Sequence, residues 1–276
     1  MAEEISRRFR TISYPGAMAE NWPVVREVPV TIYINGQDIA TLLCLGNHLE
    51  ALAVGFLASE GFIHHRDDLM SISVNAEQGE VFVEAKTKIE LIRKLSNRRV
   101  ITSGCGTGTS FYHVLDALSV RRVEGEAVVS LSIIQELMQK LTSRSTLYQA
   151  TRGVHNVALC TAEELIVFHE DIGRHNAVDK IHGECLLKGI FLSDKILLTT
   201  GRISSEILIK TGKMSVPIVV SRSAPTSLSL SLAEEIGITV IGFARGRRMR
   251  VFTGERRVRE DAPRPSIEPS SSKSPD

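Results

Sequence analysis

Residues 195–243 read KILLTTGRISSEILIKTGKMSVPIVVSRSAPTSLSLSLAEEIGITVIGF, and their rhythm decides the fold class. Three short apolar runs, Lys195–Thr199, Pro217–Ser221 and Thr239–Phe243, predict strands. Between them, Ser204–Thr211 and Ser227–Glu235 place apolar residues at helical spacing. Strands alternating with helices imply a sheet with parallel members and helices on its faces.

The pattern extends upstream. Val154–Leu159 and Leu165–His169 read as a strand pair, followed by a helix near Ala177–Leu187. Ile133–Leu141 predicts another helix. Val100–Thr102 predicts a short strand leading into the glycine-rich Ser103–Thr109, after which Thr109 or Ser110 can cap a helix. The amino-terminal part has a different rhythm. Val24–Asn35 alternates apolar and polar residues, Asn35-Gly36 is a hairpin signal, and Ile39–Leu45 returns as the second strand. His48–Gly61 predicts a helix ending at a glycine, and Asp68–Ala85 two strands around Gln78-Gly79. The organisation expected is an irregular lead-in over 1–22, a small α+β domain over 23–97, an α/β core domain over 98–260 and a disordered tail over 261–276.

Composition excludes several classes. The 276 residues are 43% hydrophobic, enough for a substantial core. The net charge is +1, so no whole-surface basic field attracts nucleic acid. No apolar run reaches the roughly 18 residues of a membrane span, and Met1–Arg10 lacks the apolar core of a signal peptide, so the expected compartment is the cytoplasm. The four cysteines, at 44, 105, 160 and 185, are too sparse for a disulfide scaffold and have no zinc spacing, so no structural metal is expected.

Candidate chemistry lies just after the strands, where open α/β sheets bind ligands. The stretches are Glu170–Asn176, Thr200–Ser204, Ser221–Thr226 and Phe243–Arg248. Each carries arginine, and the first three precede predicted helices, whose N-termini favour anions. Gly242–Arg259 holds seven arginines against one acid, Glu255. Such a segment suits phosphate through bidentate forks; a solvated face and a nucleic-acid patch are the alternatives, the latter with little aromatic support. Arg245, Arg247 and Arg248 are the expected phosphate holders, with Arg202, Ser204, Ser223 and Thr226 beside them. His175 reads either as a ligand contact or as a helix-start residue. Cys44, Cys160 and Cys185 sit in apolar company and read as buried. Cys105 is flanked by glycines, with Arg98, Arg99 and a helix start nearby, a setting that favours thiolate, against the alternative of an incidental cysteine in a turn.

Taken together, Thr102-Ser-Gly-Cys-Gly, Gly153-Val-His-Asn, Glu170-Asp-Ile-Gly-Arg-His-Asn-Ala-Val-Asp-Lys, Gly201-Arg-Ile-Ser-Ser-Glu, Ser221-Arg-Ser-Ala-Pro-Thr and Gly242-Phe-Ala-Arg-Gly resemble the formate dehydrogenase accessory sulfurtransferase family (FdhD/NarQ). The resemblance spans roughly residues 24–257. It implies a cytidine-deaminase-like α/β/α core without zinc machinery, and a homodimer. It also implies an activity: sulfur passes from a cysteine desulfurase, as a cysteine persulfide, to the molybdenum or tungsten bis(molybdopterin guanine dinucleotide) cofactor needed by formate dehydrogenase. By position, Cys105 matches the persulfide cysteine. Phe243, Ala244, Arg245, Gly246, Arg247 and Arg248 match the cofactor-contacting stretch. The family often has Cys-x-x-Cys where this chain has Cys105-Gly-Thr-Gly108. The alternatives are a non-catalytic cofactor chaperone and a nucleotide-binding regulator.

Overall fold

The computed structural model describes residues 5–16, 18–87, 120, 122–125 and 127–260. The expected strand at 100–102, the Cys105 loop, the helix after Ser110 and the tail lie outside these residues. In chain order the elements are β1 Ser6–Ser13, β2 Met18–Val25, β3 Val28–Ile34, β4 Gln37–Cys44, α1 Leu49–Glu60, β5 Leu69–Asn75 and β6 Glu80–Ala85. They continue with β7 Val129–Ser130, α2 Leu131–Arg144, α3 Thr146–Thr151, β8 His155–Cys160, β9 Leu165–Asp171, α4 Arg174–Lys188 and β10 Ile196–Thr199. Last come α5 Ser205–Lys213, β11 Ile218–Ser221, α6 Ser227–Ile236, β12 Thr239–Arg245, β13 Arg248–Thr253 and β14 Val258–Arg259.

Residues 6–25, most of which fall in the lead-in expected to be irregular over 1–22, instead form an antiparallel ribbon pairing Ser6 with Val25 and Ser13 with Met18. Its strands bury little: Phe9, Ile12, Met18 and Trp22 are exposed. With no buried face there was no core-directed alternation to read. The next sheet has the order β4-β3-β6-β5. Asn35 (φ 48°) and Gly36 (φ 73°) both take the left-handed conformation that a two-residue hairpin turn demands. Val30, Ile32 and Ile34 point to one face, where Leu52, Ala53 and Leu57 of α1 cover them.

The central sheet has the order β13-β12-β11-β10-β8-β9, with β10, β11 and β12 parallel and β8 antiparallel to both β9 and β10. Its alternation feeds two cores. Val157, Leu159, Leu197, Val219 and Val240 pack against α4, α5 and α6. Ala158, Cys160, Leu198, Val220 and Ile241 pack against α2. Burial on both faces explains why β10 and β11 read as unbroken apolar runs.

Helix α4 carries the small sheet on the large one. Asn176 through Gly183 are all buried, because the helix has core on one side and α1 on the other. The two helices cross at Gly55 and Gly183. A Cβ on Gly55 would sit 1.8 Å from the Asp179 carbonyl oxygen, and one on Gly183 would sit 1.9 Å from that of Ala51. Two histidines are sealed near this junction. His182, buried and then opposed by Lys210 and Lys213, is pushed down to about 3; His169, chiefly by burial, to about 4. Both pKa values lie below the unfolded value of about 6.5, so the unfolded chain binds more protons. Stability is therefore complete above pH 6.5 and falls as the pH drops toward 4, by up to ~1.4 kcal/mol per pH unit per histidine. Urea unfolding at pH 7.5, 6 and 5 should show this slope, and His182→Gln should flatten it; an unchanged slope in that variant would refute the assignment.

Candidate functional site

Strands β9, β10, β11 and β12 end at the same edge of the sheet, since β9 and β10 both oppose β8 and β10–β12 are parallel. Their following segments are knitted by the main chain. Ile203 N–H donates to Ala224 O (3.1 Å), Thr226 N–H to Ile203 O (3.1 Å) and Phe243 N–H to Ser223 O (3.1 Å). The buried Ser221 hydroxyl donates to Gly201 O (2.5 Å) and accepts from Ser223 N–H (2.9 Å). The sequence-predicted residues of three loops are thus brought to one rim.

Beside this rim lies an open pocket of about 1280 Å³, between the start of α2 (Leu131, Ser132, Gln135, Glu136) and the β12–β13 hairpin. The hairpin contributes Phe243, Arg245, Arg247, Arg248, Met249 and Arg250, so four arginines face one acid. The backbone explains how. The register slips between Gly242 and Arg245, and Phe243 adopts φ 54°, left-handed and uncommon for an aromatic residue. This bulge leaves Phe243 42% exposed, with its ring 6.2 Å from that of Phe252. Arg245 is steadied by its Nε donating to Arg222 O (2.9 Å). Ala244 turns inward and joins the core beneath α2, so it anchors the hairpin and offers no side chain to a ligand. Gly246, at φ 55°, supplies the turn. Sequence reasoning missed the α2 residues; the only local signal was Ser130, whose side chain caps that helix.

Other expected residues have structural duties. Thr226 caps α6, its hydroxyl accepting from Ser229 N–H (3.4 Å). Arg257, one of the seven clustered arginines, is buried and donates to the carbonyls of Gly125 (3.0 Å), Gly237 (2.8 Å) and Val123 (3.2 Å), so it leaves the anion-binding set. Arg202 remains exposed, Ser204 precedes α5, and His175 lies 3.0 Å from Glu206.

The Glu170–Lys180 motif divides between two tasks. Asp171 accepts from Leu45 N–H (3.2 Å), Gly173 N–H (3.0 Å) and Asn176 Nδ2 (3.0 Å), and pairs with Lys180 at 2.6 Å, both side chains fully buried. Asn176 Nδ2 also donates to Leu43 O (2.8 Å), and Lys180 to Asn47 Oδ1 (2.7 Å). Glu170 accepts from the Ser145 hydroxyl. These groups lock the small sheet to the core. Arg174 and His175 sit on the rim.

Cys44, Cys160 and Cys185 are buried free thiols. Burial pushes them up to about 11, 12 and 12. They are protonated at neutral pH and shielded from any macromolecular donor. Cys105 lies outside the described residues. Among the described residues no cluster of three or more His, Cys, Asp or Glu side chains could hold a metal ion, and no helix is long and apolar enough to cross a membrane.

Fold and site together define a mixed α/β protein with an arginine-lined pocket at the rim of its central sheet. The FdhD/NarQ family model matches residues 25–259, and the chain belongs to that family. It is 43% identical over 237 residues to the sulfur carrier protein FdhD of Bacillus pumilus (strain SAFR-032), covering 86% of this chain and 90% of the relative. The protein of the same name from Listeria monocytogenes serovar 1/2a is 42% identical, with 85% and 91% covered. In three dimensions the chain resembles the crystal structure of a candidate formate dehydrogenase accessory protein from Desulfotalea psychrophila. The TM-score is 0.75 at 28% identity, covering 92% of this chain and 98% of that one.

Proposed function

We propose that this chain is a sulfur carrier in formate dehydrogenase maturation, moving sulfur from a cysteine desulfurase, through a Cys105 persulfide, to the molybdenum bis(molybdopterin guanine dinucleotide) cofactor. The observation that carries the reading is the arginine pocket built around Phe243, Arg245, Arg247 and Arg248. A dinucleotide with several phosphates is matched by guanidinium forks and a half-exposed aromatic ring. The burial of the other three cysteines supports Cys105 as the acceptor by elimination. In the first step the Cys105 thiolate attacks the outer sulfur of the desulfurase persulfide. One S–S bond forms, one breaks, and the desulfurase thiolate leaves. Release of that sulfur as sulfide to the bound cofactor takes two electrons from a thiol reductant. The same reading includes a homodimer, a cytoplasmic setting and a cytidine-deaminase-like core, the last supported by the α/β/α layering.

Intact-protein mass spectrometry after incubation with an active cysteine desulfurase and cysteine tests it. Wild type should gain one sulfur mass and Cys105→Ala none. No gain in wild type would overturn sulfur transfer and favour a non-catalytic cofactor chaperone, the reading to which Gly108 in place of a second cysteine lends support. The pocket is tested separately. Arg245→Gln with Arg248→Gln should weaken GDP binding at least tenfold, roughly 1.4 kcal/mol; unchanged affinity would remove the ligand from this pocket.

A further inference from the structure

We propose that His155, Arg174 and Arg202 form a second anion site, separate from the arginine pocket, that takes a phosphate-class oxyanion at the β8–β10 end of the sheet. The three residues converge on Gly201. A Cβ there would stand 3.1 Å from Arg174 Cβ and 3.5 Å from His155 Nδ1, so the glycine lets both side chains close over the backbone. Arg202 follows it directly and is exposed. Helices α4 and α5 both begin at this point, behind Gly173 and Ser204, and neither has a side-chain cap, unlike α6 with Thr226. The Ser204 hydroxyl is buried and has no hydrogen-bond partner among the described residues. Two helix N-termini without side-chain caps, an unengaged Ser204 hydroxyl and two guanidinium groups make an oxyanion cradle.

The nearby acids are otherwise engaged: Asp171 is paired with Lys180, and Glu206 lies against His175. Burial, then Arg174 and Arg202, hold the His155 pKa down, with Asp171 opposing. His155 is thus a neutral hydrogen-bonding group in a positive field that an oxyanion would offset. Strand order sets the site apart from the pocket. From β12 to β8 is three strand spacings, roughly 14 Å. His155 shares the sheet face of Val157 and Leu159, toward α4, whereas the pocket is walled by α2. The oxyanion is either the far arm of a ligand seated in the pocket or a free anion.

The test is a titration of the full chain with inorganic phosphate at constant ionic strength, following His155 ring resonances by NMR, with His155→Gln for assignment. Saturable shifts are expected in wild type. Arg202→Gln, at an exposed position, should weaken the apparent affinity at least fivefold, and Arg174→Gln similarly. The Arg245→Gln/Arg248→Gln variant should leave the affinity unchanged. No shift, the same affinity in Arg202→Gln, or loss only in the pocket variant would overturn the proposal. GDP displacing phosphate in wild type but not in the pocket variant identifies a ligand arm; phosphate persisting under saturating GDP identifies a free anion. A failure of GDP to bind wild type would count against the functional reading and not against this site.

Discussion

Gly183→Ala is expected to lower the thermal midpoint by at least ~6 °C, from a loss of about 3 kcal/mol or more at ~2 °C per kcal/mol for a chain of this size. The added methyl meets the Ala51 carbonyl oxygen at 1.9 Å and the Gly55 amide nitrogen at 2.7 Å. Both are backbone atoms of a helix and cannot rotate aside. The helices must therefore separate. Separation also stretches what surrounds the crossing: Ser59 Oγ donates to Asp179 Oδ1 at 2.7 Å, and Lys210 pairs with the same carboxylate at 2.6 Å. Gly61→Ala is the control. Gly61 has φ 84° and nothing within 4 Å of an added Cβ, so it bears only the left-handed strain of about 1 kcal/mol. Differential scanning calorimetry of both variants checks the ranking. Equal midpoints would mean that the crossing accommodates a methyl group, and that the two sheets are held otherwise.

That crossing also marks the boundary of what could be read without coordinates. Elements with one buried face were legible: Val30, Ile32 and Ile34 alternate, Asn35-Gly36 turns, and Gly61 ends α1. Strands buried on both faces, such as Ile218–Ser221, were legible through their length and flanking loops. The ribbon at 6–25 was not, because its apolar residues face solvent. Gly55 and Gly183 look like poor helix residues in sequence, and only their mutual approach explains them. The site was half legible. Arginine density pointed to Phe243–Arg248, and the pocket extends that stretch to Arg250, yet the same dense segment also holds Arg257, whose guanidinium meets carbonyls contributed by distant segments. The α2 wall of the pocket was invisible, since nothing in Leu131–Glu136 differs from an ordinary amphipathic first turn. Likewise, Asp171 and Lys180 stand in a motif that invites a ligand-binding role, while their partners Leu45 and Asn47 lie far away in the chain.

Lys180→Met should cost about 3–5 kcal/mol, the usual result of leaving one member of a buried ion pair alone. Lys180 and Asp171 are both fully buried at 2.6 Å, so water cannot replace the lost ammonium group. Asp171→Asn should cost less. The amide oxygen still accepts from Gly173 N–H or Leu45 N–H, and a neutral group is left opposite Lys180, which keeps Asn47 Oδ1 and Glu170 O (3.3 Å) as acceptors. The double variant should recover part of the Lys180→Met loss, giving a coupling of at least ~1 kcal/mol between two residues in contact. Recovery stays partial because Asp171 serves three N–H donors besides Lys180, and a neutral amide cannot satisfy them as a carboxylate does. Chemical denaturation of the four proteins measures the cycle; strict additivity would show that the pair acts through separate contacts. The functional corollary follows from position. Arg174 begins α4 three residues after Asp171, and its place on the rim depends on the lock that Asp171 makes with the small sheet. Asp171→Asn should therefore retain GDP affinity at the β12–β13 pocket, where Asp171 makes no contact, while weakening phosphate binding near His155. Equal losses at both places would mean a global loosening of the core. A loss confined to the His155 end would show that the motif acts on ligand binding by positioning Arg174.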